Sequence, residues 1–346
     1  MKSKLFLRLL LALCICAMML SFTACTEKEP NDEPKVELLD SHEVIISDIG
    51  TGRIIVTDLD KEDPFAKENL IWEWIPSAEQ DWGYITQDSL IDSLSGVKYR
   101  WSEHFQTNVV LFVNARGNAG MIEYPSGKCL WKERMGNSPH SIEMMPNGDI
   151  VVASSGGGDW EEGRLYYYEL KDNGTYEATT EHMLNGAHGV LWDPDNNVLW
   201  GLGFPELVAY MPGETSSGKA TLYLVDGWGA KVLDGSGHDL MPDSSNRDIM
   251  WITDNVSIYQ FSKYQNKVLQ EFPNAKKMMQ MPAVKGVASF SDGVVAFVSY
   301  GDRNGADHPA TLRAFWPKED GTFELVKYVD EASGWNKIRV FTTDYL

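Results

Sequence analysis

Six similar stretches of sequence, evenly spaced and each followed by short apolar runs, predict an all-β fold: a six-bladed β-propeller with four strands per blade. The stretches begin Lys98-Tyr-Arg-Trp, His140-Ser-Ile-Glu, His188-Gly-Val-Leu, His238-Asp-Leu-Met, Lys285-Gly-Val-Ala and Lys337-Ile-Arg-Val, at intervals of 42, 48, 50, 47 and 52 residues. Turn chemistry recurs at the same place in successive units. It is Pro146-Asn147-Gly148 in blade 3, Asp193-Pro194-Asp195-Asn196-Asn197 in blade 4, Pro242-Asp243-Ser244-Ser245-Asn246 in blade 5 and Ser291-Asp292-Gly293 in blade 6. Asn and Gly tolerate the positive φ that tight turns between strands require. Finally, the two ends of the repeat array are each incomplete in a way that the other completes.

The first 24 residues carry a targeting signal. Lys2, Lys4 and Arg8 form a positive n-region, Leu5 to Leu20 an apolar stretch, and Ser21-Phe22-Thr23-Ala24-Cys25 a small-residue cleavage site. Residues 25–40 are rich in proline and acids and read as a solvated tether. The propeller occupies residues 41–346.

Blade 1 has three strands at the N-terminal end, Val44 to Ile49, Arg53 to Leu59 and Leu70 to Ile75, and lacks an inner one. The segment Lys337 to Thr342 is an inner strand with no blade after it. Pairing the two closes the ring and removes an exposed sheet edge. Trp82 to Ser95 is an insert between blades 1 and 2 without clear periodicity. Blade 3 is the clearest unit, with strands at His140 to Met145, Ile150 to Ser154, Arg164 to Leu170 and Tyr176 to Met183. A two-sheet sandwich is the alternative, and the even spacing of four-strand units argues against it.

Composition narrows the partners. The formal charge is −20, and loss of the signal removes three positive charges and no acid, which takes it to −23. Nucleic acid and anionic lipid both reward net positive charge, so neither is an expected partner. Cys14 and Cys16 leave with the signal, and Cys129 is the one thiol besides Cys25, so no intramolecular disulfide is expected.

Equivalent positions of a propeller converge on its axis. Lys98, His140, His188, His238, Lys285 and Lys337 are therefore expected to form one ring at one mouth of the channel, imidazoles on one arc and ammoniums on the other. In blade 2 the register leaves Arg100 as an alternative to Lys98. Arg100 and Arg339 lie two residues beyond Lys98 and Lys337, on the same side of their strands. The loops Asn114 to Asn118, Gly156 to Glu162, Gly203 to Glu206 and Tyr300 to His308 surround the ring, with Trp82, Trp160, Phe204, Tyr300 and Trp335 as candidate rim aromatics.

Crowded ammoniums repel, and burial raises the cost of their charge. An anionic ligand relieves both. Loop acids such as Asp48, Asp254 and Asp302 would do so equally, in a ring that holds only water. Three histidines with an open position also permit a divalent metal, so His140, His188 and His238 are candidate metal ligands and candidate catalytic residues. No cofactor is otherwise indicated. No Gly-x-Ser-x-Gly, Walker loop or His-Glu-x-x-His occurs.

Ala24 before Cys25 resembles the lipobox of bacterial lipoproteins, which implies cleavage before Cys25 and acylation of its thiol. Glu27 and Glu29 resemble the surface-export signal of Bacteroides-type lipoproteins, which implies an outer-membrane anchor facing the cell exterior, with the periplasmic face as the alternative. Residues 41–346 resemble the uncharacterised six-bladed propeller lipoproteins of Bacteroides-type bacteria; this implies fold and export, and no activity. Oligogalacturonate lyases are similar in being propellers with a histidine-held metal, and in that respect alone. Three functions are therefore carried forward. They are capture of an anionic glycan or sugar acid, uronate-directed lyase chemistry at the same ring, and a protein-interaction platform. Fold alone does not choose among them.

Overall fold

The computed structural model describes residues 41–346 apart from 137, 159, 232–236, 256, 270–283, 300–310, 319–322, 331–333 and 346. Cys25, the signal and the tether lie outside the described residues, as do Tyr300, Asp302 and His308.

Six four-stranded antiparallel sheets form the blades of the predicted propeller. Blade 1 combines β1 (Glu43–Asp48), β2 (Arg53–Asp58) and β3 (Leu70–Trp74) with the C-terminal β24 (Trp335–Val340), in the order β24-β1-β2-β3. Val44 faces Val340 and Ser47 faces Lys337, so the last strand supplies the missing inner strand. The inner strands of the other blades are β4 (Leu94–Ser102), β8 (Pro139–Met144), β12 (Gly189–Asp193), β16 (Gly237–Pro242) and β20 (Val284–Ser289). Each touches the next, and β24 touches β4, so the ring closes after six blades.

The core is divided among the wedges between blades. One apolar cluster fills each junction. Val44, Ile46, Phe290 and Trp335 pack between blades 1 and 6, and Leu191, Trp200, Leu240 and Phe261 between blades 4 and 5. A blade shows a neighbour on each face, which explains why its middle strands, such as Ile150–Ser154, are buried throughout.

The ambiguous insert becomes a plug with a short helix, α1 (Gln87–Leu90), capped by Thr86 and Ser89. Its Trp82, Ile85 and Leu90 are buried in the wedge between blades 1 and 2. Trp82 donates to the Gly127 carbonyl at 2.9 Å. Trp335 is equally buried and packs on Phe65. Both were candidate rim aromatics, and both are core: a fully buried indole stabilises through the apolar area it removes from water. Phe204 is 38% exposed.

Candidate functional site at the channel mouth

The first turn of each inner strand decides which side chain reaches the mouth. In β8, Pro139 pairs with Ser154 and Ser141 with Ala153, so His140 has no partner across the ladder. The same slip isolates His238 in β16 and Lys285 in β20. His188 directly precedes β12 and donates its N–H to the Leu202 carbonyl. A bulge of this kind re-aims one side chain at a sheet end, and in three blades that side chain is the predicted ring residue, while in blade 4 the ring residue His188 stands just ahead of its strand.

Blades 1 and 2 differ from the expectation. There the unpaired residues are Asn336, between Trp335 and Lys337, and Ser95, between Leu94 and Gly96. Lys337 therefore sits one residue below the ring, and Lys98 three below it. The mouth is composed of Ser95, His140, His188, His238, Lys285 and Asn336. Ser95 donates to the Pro139 carbonyl at 2.6 Å and Asn336 to the Leu94 carbonyl at 3.3 Å, so these two close the ring through backbone contacts.

The remaining four side chains form a continuous arc. The His140 and His188 rings stack with centroids 4.1 Å apart, and His238 meets His188 edge-on at 5.6 Å. The Lys285 amine lies 3.1 Å from Nδ1 and 2.8 Å from Nε2 of His238. His188 donates through Nδ1 to the Gly186 carbonyl at 2.8 Å, and His238 Nε2 bonds Asn255 Oδ1. His140 is 3.2 Å from the Ser138 hydroxyl. Burial drives all three imidazoles toward the neutral form, His188 down to about 3 and His140 and His238 well below the usual histidine range. Burial, together with the charge on Lys337, brings the Lys285 amine down to about 7. Among the described residues Lys285 has no carboxylate partner.

Below the mouth the charges are matched. Glu143 accepts from Lys98 at 2.6 Å and from both Nε and Nη2 of Arg100, at 2.9 and 3.0 Å. Lys98 also donates to the Val190 carbonyl of blade 4. Asp239 accepts from Lys337 at 3.2 Å, from Arg339 Nη1 and Nη2 at 2.7 and 2.6 Å, and from the Val287 N–H at 2.9 Å. Lys337 and Arg339 reach it from blade 1 by crossing blade 6 at Gly286. A Cβ there would stand 2.6 Å from the Ile338 nitrogen, so only glycine admits the crossing. Burial opposes charge on Glu143 and Asp239, yet their cations outweigh it and hold both below the ordinary carboxylate range. Burial lowers Lys98 and Lys337 to about 8.

Among the described residues the acids that pair with these cations are thus Glu143 and Asp239, not Asp48 or Asp254, while Asp302 lies outside the described residues. Asp48 pairs with Arg53 at 2.9 Å, and Asp254 bonds Ser257 and Tyr259. At the other end of these inner strands the C-terminal residues Thr342 and Asp344 line a small cavity with Lys98, Arg100 and Arg339. Tyr345 lies under the Arg100 guanidinium at 4.5 Å and bonds the Met144 carbonyl.

A metal held by His140, His188 and His238 would need their lone pairs to converge. The first two rings are 16° from parallel, and parallel rings direct their nitrogens side by side. Among the described residues no group of three or more His, Cys, Asp or Glu is arranged to hold a metal.

Residues 4–303 match the family described as "Family of unknown function (DUF6528)", and the chain belongs to that family. Among solved structures it is similar to a protein of unknown function from Bacteroides caccae, with 12% identity and a TM-score of 0.56 over 86% of this chain and 98% of that one. At that identity the likeness bears on the fold alone. No curated protein matches.

Proposed function

We propose that this chain is a lipoprotein anchored through Cys25 at the outer membrane, facing the cell exterior, and that it captures an anionic ligand at the channel mouth. A uronic-acid or sulfated glycan is the ligand class that fits. The observation that carries this reading is Lys285, the mouth's ammonium without a described carboxylate beside it. An acid group seated there meets one cation, and since His188 and His238 already give their N–H to the Gly186 carbonyl and Asn255 Oδ1, His140 is the imidazole of the arc with an N–H to offer it. Beneath it, four basic side chains face two carboxylates, Glu143 and Asp239, so the channel field favours an anion. Lys98, Arg100, Lys337 and Arg339 then act at a distance, through charge, rather than by contact.

The lyase alternative places proton abstraction at the same mouth. An imidazole with a value near 3 is a weak base at neutral pH, so Lys285 rather than His188 would take the proton. One experiment addresses the three functions: residues 26–346 titrated with acidic oligosaccharides, following binding and the absorbance of unsaturated uronates together. Binding without new absorbance supports capture, and both signals support a lyase. Neither signal transfers the reading to the interaction platform. For the anchor, Cys25→Ser should abolish acyl labelling and release the chain from membranes; unchanged labelling contradicts acylation at Cys25.

A further inference from the structure

Lys285 differs from the two other channel lysines in a way that simple charge capture leaves unused. Lys98 and Lys337 are each 2% exposed and each fixed on a carboxylate and a backbone carbonyl. Lys285 is only part-buried, and its hydrogen bonds all run to one imidazole. The titratable and charged residues on the strands packed against β20 are Lys337 and Arg339 on β24, His238 and Asp239 on β16 and Asp254 on Ile249–Asp254. Asp239 and Asp254 are engaged elsewhere, the first by Arg339 and Lys337 and the second by Ser257 and Tyr259. An amine that is desolvated, has no acid of its own among the described residues and stands near another cation, Lys337, sheds its proton readily.

We infer that Lys285 is a nucleophile that condenses with the aldehyde group of a small carbonyl compound entering the channel mouth, to give a Schiff base. This rests on the mouth being the ligand-facing site, as proposed above. The free amine lone pair bonds to the carbonyl carbon while the C=O π pair moves to oxygen and takes up a proton. The nitrogen of the adduct loses a proton, giving a neutral carbinolamine. That hydroxyl takes up a proton and departs as water as the nitrogen lone pair forms the C=N bond, and loss of the last N–H proton from the iminium leaves the imine. Aldehyde and amine give imine and water, with no change of oxidation state. His238 is placed to carry these protons. Asn255 Oδ1 engages its Nε2, which leaves Nδ1 free to accept from Lys285. His238 is thus a proton-relaying group, and Asn255 a positioning residue.

The chemistry predicts selectivity. An exposed lysine at its ordinary value of 10.5 is less than about one part in a thousand free amine at pH 7. Lys285, brought down to about 7, is about half free amine.

The test uses residues 26–346 with glycolaldehyde and cyanoborohydride at pH 7, followed by peptide mapping of the reduced adducts. Lys285 should be labelled at least tenfold faster than the exposed Lys128 and Lys267, and the difference should vanish in the urea-unfolded chain. Lys285→Arg should remove the fast site, and Asn255→Ala should slow it while the fold persists by circular dichroism. Labelling of Lys285 no faster than that of Lys128 and Lys267 overturns the inference. Acidic-ligand affinity measured on the same preparations separates the two proposals. Affinity that depends on Lys285, without fast labelling, removes the nucleophile and leaves the capture reading. Fast labelling without such affinity removes the capture reading and leaves the nucleophile.

Discussion

The mouth and the interior of the channel use the same residue types to opposite ends. In the interior, Lys98 and Arg100 share Glu143, and Lys337 and Arg339 share Asp239, with every one of these groups 5% exposed or less. At the mouth, Lys285 leans on His238, and the histidines lean on one another. A buried charge that has its counter-ion holds blades together. One that lacks it raises the cost of folding and leaves a site for something else. The contrast teaches that charge type alone does not identify a site; the distribution of partners does.

Removing a carboxylate from the interior is the harshest way to break this contrast. Glu143→Ala leaves Lys98 and Arg100 buried without their acid, and Asp239→Ala does the same to Lys337 and Arg339. Each should cost about 3–5 kcal/mol of stability, the usual penalty of orphaning a buried charge. Urea unfolding of each variant checks this; a loss under about 1 kcal/mol would mean that the triads are not structural.

At the mouth the effect of removing a charge should reverse sign. Lys285 titrates near 7 when folded and near 10.5 when unfolded. Between those values the unfolded chain holds the extra proton, so stability rises with pH across that window. Below pH 7 the fold bears the cost of a buried ammonium, and Lys285→Met removes it. The variant should be more stable than the parent at pH 6 by about 1–3 kcal/mol, discounted because the amine is part-exposed, with no difference left above pH 11. A variant less stable than the parent at pH 6 would place Lys285 with the interior cations.

A smaller effect distinguishes the imidazoles. His188 titrates near 3 folded against an ordinary 6.5, so between these values the unfolded chain binds the additional proton. Stability should therefore fall as pH drops through 6.5 toward 3. His188→Gln should flatten that decline by at most about 1.4 kcal/mol per pH unit. Acid titration followed by circular dichroism reports the slope, and parallel slopes would show His188 to be protonated in the folded ring.

The blade count, the closing strand and the four mouth residues of blades 3 to 6 were legible because the repeat carries its own register. Blades 1 and 2 misled because Lys337 and Lys98 look like ring lysines, whereas the bulges fall on Asn336 and Ser95. A bulge position depends on backbone pairing and leaves little trace in side-chain chemistry. Glu143 and Asp239 could have been found. They are acids within otherwise apolar inner strands, His140-Ser-Ile-Glu143 and His238-Asp239, and an acid at such a place needs cations. The Lys-x-Arg pairs of blades 1 and 2 are those cations. Asn255 carried no comparable signal, since its role depends on a loop meeting His238 across the sheet.

The most direct test of the central claim is the affinity of Lys285→Met for a uronic-acid oligosaccharide, measured by calorimetry at pH 6 beside the parent chain. Loss of one charge-assisted contact is worth about 1.5–3 kcal/mol. The account predicts at least a tenfold weakening in a variant that is no less stable than its parent. Equal affinity in the two chains would contradict it, and would make the mouth, like the interior, part of the scaffold.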